Sequence, residues 1–293
     1  MYTKSEKRFQ IVINIIMTVL TVITAIPFLL LLSASLTANQ NIIVDGYSLI
    51  PGEFSLEGYV YIWMQRAQIF RAYGVTILVT LIGVLIGLSM TMLYGYALSR
   101  PQFPGKKFFS FYLFFTMLFN GGLVPTYILY TRTLHVKNTI WGLILPGLLM
   151  GAFNVILVRS FIQSTVPEAL VEAAEIDGAG QFQTFFKIVL PISKPIVATV
   201  GLFIGVGYWN SWQNGLYYIT DNTLYSIQQL LYAMMKNIEY LASNAVGSMS
   251  NVGLPTSTLR MAIAMVGLLP ILIIYPFIQK YFVKGIAIGA VKG

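Results

Sequence analysis

Pro167-Glu-Ala-Leu-Val-Glu-Ala-Ala-Glu-Ile-Asp-Gly-Ala179, followed shortly by Ile188-Val-Leu-Pro191, is a charged, helix-forming island between two long apolar runs. Thr165-Val-Pro-Glu168 has the spacing of a capping box, which predicts Thr165 as N-cap and Glu168 reaching back to it. Pro167 is tolerated in a first turn, where its missing N–H is not needed. Ala169, Leu170, Ala173 and Ala174 are good or acceptable helix formers. Glu168, Glu172 and Glu175 share one helical face, because residues three and four apart are neighbours. Leu170, Ala173, Ala174 and Asp177 fall broadly on the other side. Gly178 permits the left-handed turn that ends a helix. A second short helical stretch, 181–187, then leads into Leu190-Pro191. The pattern describes a helix-turn-helix with small side chains and an acidic face. On physics alone, a partner-binding surface and a solvated connector are equally good readings of it.

The rest of the chain explains why this island stands out. Of 293 residues, 57% are hydrophobic and 10% charged, whereas a soluble globular domain carries about 25% charged residues. There are too few charges to coat a water-facing surface, so lipid must solvate much of the chain. The net charge of +8 does not indicate nucleic acid, since the basic residues are scattered between apolar runs without an aromatic-interleaved stripe. Cysteine is absent, which excludes disulfides and thiolate metal sites. His135 is the only histidine, so no histidine cluster can ligate a metal. It is read as a solvated or interfacial residue on a short loop.

Lys4, Lys7 and Arg8 precede an apolar run over 9–36. That run exceeds the roughly 7–15 residue core of a cleaved signal peptide and is read as an uncleaved first transmembrane helix. About 20 apolar residues are needed to cross a bilayer. Six segments qualify, at approximately 11–32, 73–98, 108–130, 139–161, 188–208 and 261–282. Helices alone satisfy their own backbone at this length in lipid, so the expected fold is all-α, a single membrane domain over 1–293. With the N-terminus inside, twelve of the 18 Lys and Arg residues fall on the inner side. The positive-inside rule therefore favours N-in and C-in. Residues 37–72 and 209–260 become external loops, and 162–187, which holds most of the island, becomes the largest internal loop.

Glu172-Ala-Ala, Asp177-Gly178-Ala179 and Ile188-Val-Leu-Pro191 resemble the EAA loop of permease subunits of binding-protein-dependent ABC importers. Glycine falls six residues after the glutamate, and Leu-Pro follows twelve residues after the glycine. The flanks Pro167-Glu168-x-Leu170 and Ile192-Ser-x-Pro195 fit as well. Trp209-Asn210-Ser-Trp212 and the terminal stretch from Val283 to Gly293 are similar to the carbohydrate branch, which includes the shorter permease of the maltose importer. Asn120-Gly121-Gly122-Leu-Val-Pro125 and Asn138-Thr139-x-Trp141 look closer to the subgroup that handles oligosaccharides and polysaccharide fragments.

The resemblance implies a type I ABC importer permease fold in a bacterial inner (cytoplasmic) membrane. It implies two ATPase subunits, a second and different permease chain, an external solute-binding protein and a sugar or oligosaccharide cargo. It places a coupling helix in an ATPase cleft, formed by Glu168, Glu172, Ala173, Ala174, Asp177 and Gly178. There Glu172 would accept charge-assisted hydrogen bonds, and the alanines would pack closely. Asp177 would either touch the ATPase or cap the second short helix. For residues 285–293 the resemblance implies a small, flexible tail between the ATPases, and a disordered terminus is an equally good reading. ATP and Mg are expected on the partner ATPases, with no cofactor, metal or catalytic residue on this chain. Gly105-Lys106 lacks both the earlier glycine and the following Ser or Thr of a phosphate-binding loop.

Candidate sugar contacts are Asn120, Asn154, Trp209, Asn210 and Trp212, since polar side chains within spans face the bundle interior. Asparagine also glues helices together, and tryptophan also anchors at the interface, so these structural roles stay open. A membrane enzyme would need an intramembrane nucleophile, acid–base pair or metal set, and the spans contain almost no ionisable side chains. An ion-coupled secondary transporter would use intramembrane carboxylates, and no span carries Asp or Glu. The remaining alternative within the importer class is a non-sugar solute.

Overall fold

The computed structural model describes residues 4–244 and 256–290, and side chains over 7–240, 256–274 and 276. In chain order the helices are α1 (Lys4–Ser35), α2 (Asn39–Asp45), α3 (Glu57–Met64), α4 (Arg66–Ser99), α5 (Lys106–Leu118), α6 (Leu123–Ile128), α7 (Ile140–Ile144) and α8 (Ala152–Thr165). They continue with α9 (Glu168–Ile176), α10 (Gln181–Thr184), α11 (Leu190–Ile192), α12 (Lys194–Trp209), α13 (Gln213–Tyr218), α14 (Ile227–Asn244) and α15 (Thr256–Ala290). Wider π turns at Leu129–Thr133 and Phe185–Val189 extend α6 and join α10 to α11. Among the described residues the extended pairing is limited to an isolated bridge between Thr37 and Phe54. The fold is all-helical.

Three helical stretches are long and apolar enough to cross a membrane: Lys7–Ser35, Arg66–Ser99 and Thr256–Ile274. The count rises to five if each of two bent pairs is one span. The expected segments at 11–32, 73–98 and 261–282 overlap these three helices. The other three expected segments are not straight helices. Segment 108–130 turns through 113° between Lys106–Leu118 and Leu123–Thr133. The cause is local, since Phe119 is extended and Gly122 has φ +85°. Segment 188–208 turns through 86° at Ser193, between Gln181–Ile192 and Lys194–Trp209. Pro191 and Pro195 flank that bend, and neither can donate a backbone hydrogen bond. Segment 139–161 is interrupted after Ile144 by Leu145-Pro146-Gly147, with Gly147 at φ +71°, and helix resumes at Ala152. An apolar count is blind to these breaks.

The chain divides into two compact units, 1–68 with 231–271 and 69–230 with 272–293. In the first, α1 is exposed along most of its length. Its hydroxyls bond their own helix: Thr18 to the Asn14 carbonyl at 2.7 Å and Thr21 to the Met17 carbonyl at 2.7 Å. In lipid there is no water to satisfy them otherwise. The end of α1 meets the start of α15. Thr258 Oγ1 donates to the Thr37 carbonyl at 2.8 Å, and Asn39 Oδ1 accepts from Ser257 N at 2.9 Å. Gly58 on α3 lies against Ala262 and Leu259, so close that an added Cβ would sit 3.0 Å from the Ala262 methyl.

In the second unit α4 is the element around which others pack, and its glycines make that possible. A Cβ at Gly83 would enter the ring of Tyr208 on α12, one at Gly87 would sit 2.5 Å from the Leu149 carbonyl oxygen, and one at Gly95 would strike Val158 on α8. Val158, Val189 and Val200 are fully buried in the resulting core, with Val79, Met92 and Tyr96 contributed by α4. The expected flexible tail at 285–293 differs in part. The backbone of α15 remains helical to Ala290 despite Gly285 and Gly289, and 291–293 lie outside the described residues. So do residues 245–255 of the expected external segment 209–260.

Candidate functional site

The island at 167–191 forms α9, a glycine turn, α10 and a π-helical turn into the bend at Ser193. The helix starts two residues later than a capping box requires. Thr165 is the last residue of α8, Val166 is extended at φ −93°, ψ 111°, and Pro167 is the N-cap of α9. No side chain caps the α9 N-terminus. The Thr165–Glu168 expectation is therefore corrected: α8 claims the threonine for its own last turn.

The C-terminus of α9 follows the expected stop signal in detail. Gly178 has φ +80°. Ala179 N donates to the Ala174 carbonyl at 2.9 Å, and Gly178 N donates to the Glu175 carbonyl at 3.0 Å. This is a Schellman pair, which satisfies carbonyls that a helix end leaves open. Asp177 occupies the C-cap position and is exposed.

The faces of α9 are rotated from the expected division. Val171 and Ala174 are its buried residues, whereas Ala173 and Leu170 are exposed. Glu168 and Glu172 are exposed too, and Ile176 is 86% exposed. The outward surface thus combines two carboxylates with apolar groups, and Ala174 packs inward on its own protein.

Glu175 behaves differently from the other two glutamates. Its Oε1 accepts from Arg100 Nη2 at 2.9 Å and from Gln181 Nε2 at 3.0 Å. Gln181 Oε1 in turn accepts from the Tyr96 hydroxyl at 2.9 Å. The Arg100 side chain is 11% exposed and that of Glu175 35%. Tyr96 also lies 5.2 Å, centroid to centroid, from the Phe185 ring. Sequence reading grouped Glu175 with the acidic face and passed over Arg100, Gln181 and Tyr96. A partner 75 residues away in sequence leaves no local pattern to find.

The candidate sugar contacts do not converge on one point. Asn120 is exposed at the 113° turn, where its Oδ1 accepts from Gly122 N at 2.8 Å, so it builds the turn. Asn154 is half-buried on α8. Trp209 ends α12 with its ring 6.4 Å from that of Tyr73, and its indole Nε1 is buried without a hydrogen-bond partner among the described residues. Asn210 is exposed as the C-cap of α12, and Trp212 is the half-buried N-cap of α13.

Nearby residues missed from sequence carry more of the architecture. The break after α7 frees consecutive carbonyls, and side chains from elsewhere meet them. Asn214 Nδ2 donates to Leu143 O at 3.2 Å and Pro146 O at 2.9 Å, the Tyr208 hydroxyl to Ile144 O at 3.0 Å, and the Tyr130 hydroxyl to Leu145 O at 3.4 Å. Asn138, left-handed at φ 54°, accepts from Thr220 N at 2.6 Å and Asp221 N at 3.2 Å. Asp221 then accepts from Thr223 N and Thr223 Oγ1, which hold its carboxyl below its ordinary range.

An all-helical chain with long apolar helices, a helix pair joined at Gly178 and a proline-flanked bend is a multi-pass membrane protein. The chain belongs to the family of binding-protein-dependent transport system inner membrane components, whose description matches residues 4–288. It is 37% identical over 292 residues to the polygalacturonan/rhamnogalacturonan transport system permease protein YtcP of Bacillus subtilis (strain 168), covering 98% of this chain and 99% of that protein. It is 31% identical over 284 residues to the melibiose/raffinose/stachyose import permease protein MelC of the same organism, covering 95% and 96%. A chain in the crystal structure of a bacterial ABC transporter involved in the import of the acidic polysaccharide alginate superposes with a TM-score of 0.79 at 28% identity, covering 96% of this chain and 99% of that one.

Proposed function

We propose that this chain is the permease subunit of an ABC importer for oligosaccharides derived from a polysaccharide, driven by ATP hydrolysis on partner subunits. The observation that carries the reading is the geometry of α9. Its small buried face, two exposed carboxylates and Schellman stop at Gly178 present a short rigid helix with an outward surface that its own chain leaves uncovered. The kinship with oligosaccharide permeases supports the cargo class.

In this reading the chain crosses the membrane six times with both termini inside, the bent and broken segments each counting as one crossing. Glu168 and Glu172 face a basic ATPase surface, Ala173 allows close approach, and Gly178 fixes the turn. ATP and Mg bind the ATPases, which close and draw the coupling helices together, a rigid-body switch between inward- and outward-facing states. A second permease completes the pore, and an external binding protein delivers the sugar. Trp209, Asn210 and Trp212 remain the best-placed cargo contacts, with Asn154 deeper on α8. Asn120 acts through the shape of the 113° turn.

The test is reconstitution in proteoliposomes with a second permease, an ATPase and a binding protein of the same importer. Oligogalacturonate and raffinose serve as the acidic and neutral probes. The reading expects ATP hydrolysis to rise with a loaded binding protein, and Glu172→Lys combined with Gly178→Asp to abolish the rise. Intact stimulation in that double variant refutes the coupling assignment. Stimulation by neither sugar, with stimulation by a non-sugar solute, refutes the cargo class.

A further inference from the structure

Among the described residues, Glu175 is the one side chain of α9 that hydrogen-bonds to another element. Its partners are Arg100, just beyond the end of α4, and Gln181, which passes the connection to Tyr96 inside α4. The remaining anchorage of α9 is the burial of Val171 and Ala174. Apolar contact is non-directional, whereas charge-assisted hydrogen bonds fix orientation. The end of α4 is therefore tied to α9 through Glu175. Beyond that point α4 has little slack, since Gly95, Gly87 and Gly83 bring it into close contact with Val158, the Leu149 carbonyl and Tyr208. Tyr208 holds the Ile144 carbonyl in the broken segment.

We propose that Glu175, through Arg100 and Gln181, is the positioning residue that carries ATPase-driven movement of α9 into α4, and so into the interior of the permease. Glu172 and Glu168 face the partner, while Glu175 faces the chain's own core. This rests on the coupling reading above. A charge at Glu175 that merely stabilised the loop would leave the nucleotide response of α4 unchanged in any variant whose loop is folded. A relay makes the response of α4 depend on the pair.

The experiment is hydrogen exchange on the assembled importer in lipid nanodiscs, using a hydrolysis-deficient ATPase with and without ATP. No sugar is needed. In the unaltered complex, ATP is expected to change exchange both at 168–176 and at 93–99. In Arg100→Gln and in Glu175→Gln the change at 168–176 persists, and the change at 93–99 falls by about fivefold or more, the scale of a coupling between sites. Arg100→Glu with Glu175→Arg restores it, since Gln181 can turn its amide to accept from the new arginine. Tyr96→Phe, which removes only the last bond, gives a partial loss and serves if either charge variant fails to assemble. Full response at 93–99 in the single variants overturns the relay, as does a charge swap that behaves like them. No response at 168–176 in the unaltered complex overturns the coupling reading itself.

Discussion

The hydroxyl of Tyr208 donates to the carbonyl oxygen of Ile144 at 3.0 Å, across 64 residues of sequence. Tyr208 is 2% exposed, so water cannot replace it. Removing the hydroxyl leaves a buried acceptor unmet at the point where α7 stops, a loss of about 1–3 kcal/mol. Tyr208→Phe is expected to lower the thermal unfolding midpoint in nanodiscs. An unchanged midpoint means that the broken segment finds another donor.

The same ring explains why position 83 is glycine. Any Cβ there collides with the aromatic atoms of Tyr208, and neither helix can retreat without disturbing the core around Val79 and Ile204. Gly83→Ala is expected to cost about 1–3 kcal/mol through overpacking. Combining it with Tyr208→Leu should recover part of the loss, measured as the coupling term of a double-mutant cycle in thermal or denaturant unfolding. Strict additivity would show that the two side chains do not meet.

Much of this organisation was legible in the sequence for simple reasons. Apolar runs longer than a bilayer is thick leave little choice but helix, and a glycine after Ala-Ala-Glu-Ile-Asp is a stop signal at any site. What failed were readings in which two local rules competed. Thr165 fits a capping box for α9, but it also completes the last turn of α8, and the earlier helix keeps it. Pro146-Gly147 is a turn signal that the surrounding apolar count overwhelmed. The pairs Arg100–Glu175 and Tyr208–Ile144 lie in no window of sequence, because they depend on which helices pack together. Sugar contacts were the least legible, since Asn and Trp serve turns and helix packing with the same side chains. Asn120, bonded to Gly122 N, is the plainest instance.

Gly178 tests backbone shape without steric interference. Its φ is +80°, yet an added Cβ would meet nothing within 4 Å. The penalty for a side chain there is therefore conformational, about 1–2 kcal/mol for an ordinary L-residue in left-handed geometry. Asparagine tolerates that geometry better. Gly178→Ala is expected to weaken sugar-stimulated ATP hydrolysis, with Gly178→Asn falling between it and the unaltered chain. Hydrogen exchange at the Gly178 and Ala179 amides reports the local opening directly. If alanine and asparagine behave identically, the turn does not limit coupling.

Asp221 gives a pH prediction with a definite sign. The backbone N–H and hydroxyl of Thr223 donate to its carboxylate, with a smaller contribution from the positive charge of Arg71, and its pKa lies below the usual 3.8. A depressed folded-state pKa stabilises the fold above the unfolded value and loses that contribution as pH falls through the folded one. The loss therefore belongs below pH 3.8 and is absent at neutral pH. Asn138 accepts from the backbone N–H of Asp221 at 3.2 Å, so loosening of the carboxylate turn should reach the loop around 134–139. Exchange at the Thr223 amide, normalised to its intrinsic rate at each pH, is expected to accelerate on acidification in the unaltered protein. In Asp221→Asn the amide oxygen can still accept but does not titrate, and that acceleration should disappear. An acid response that survives in Asp221→Asn would assign it to a different group.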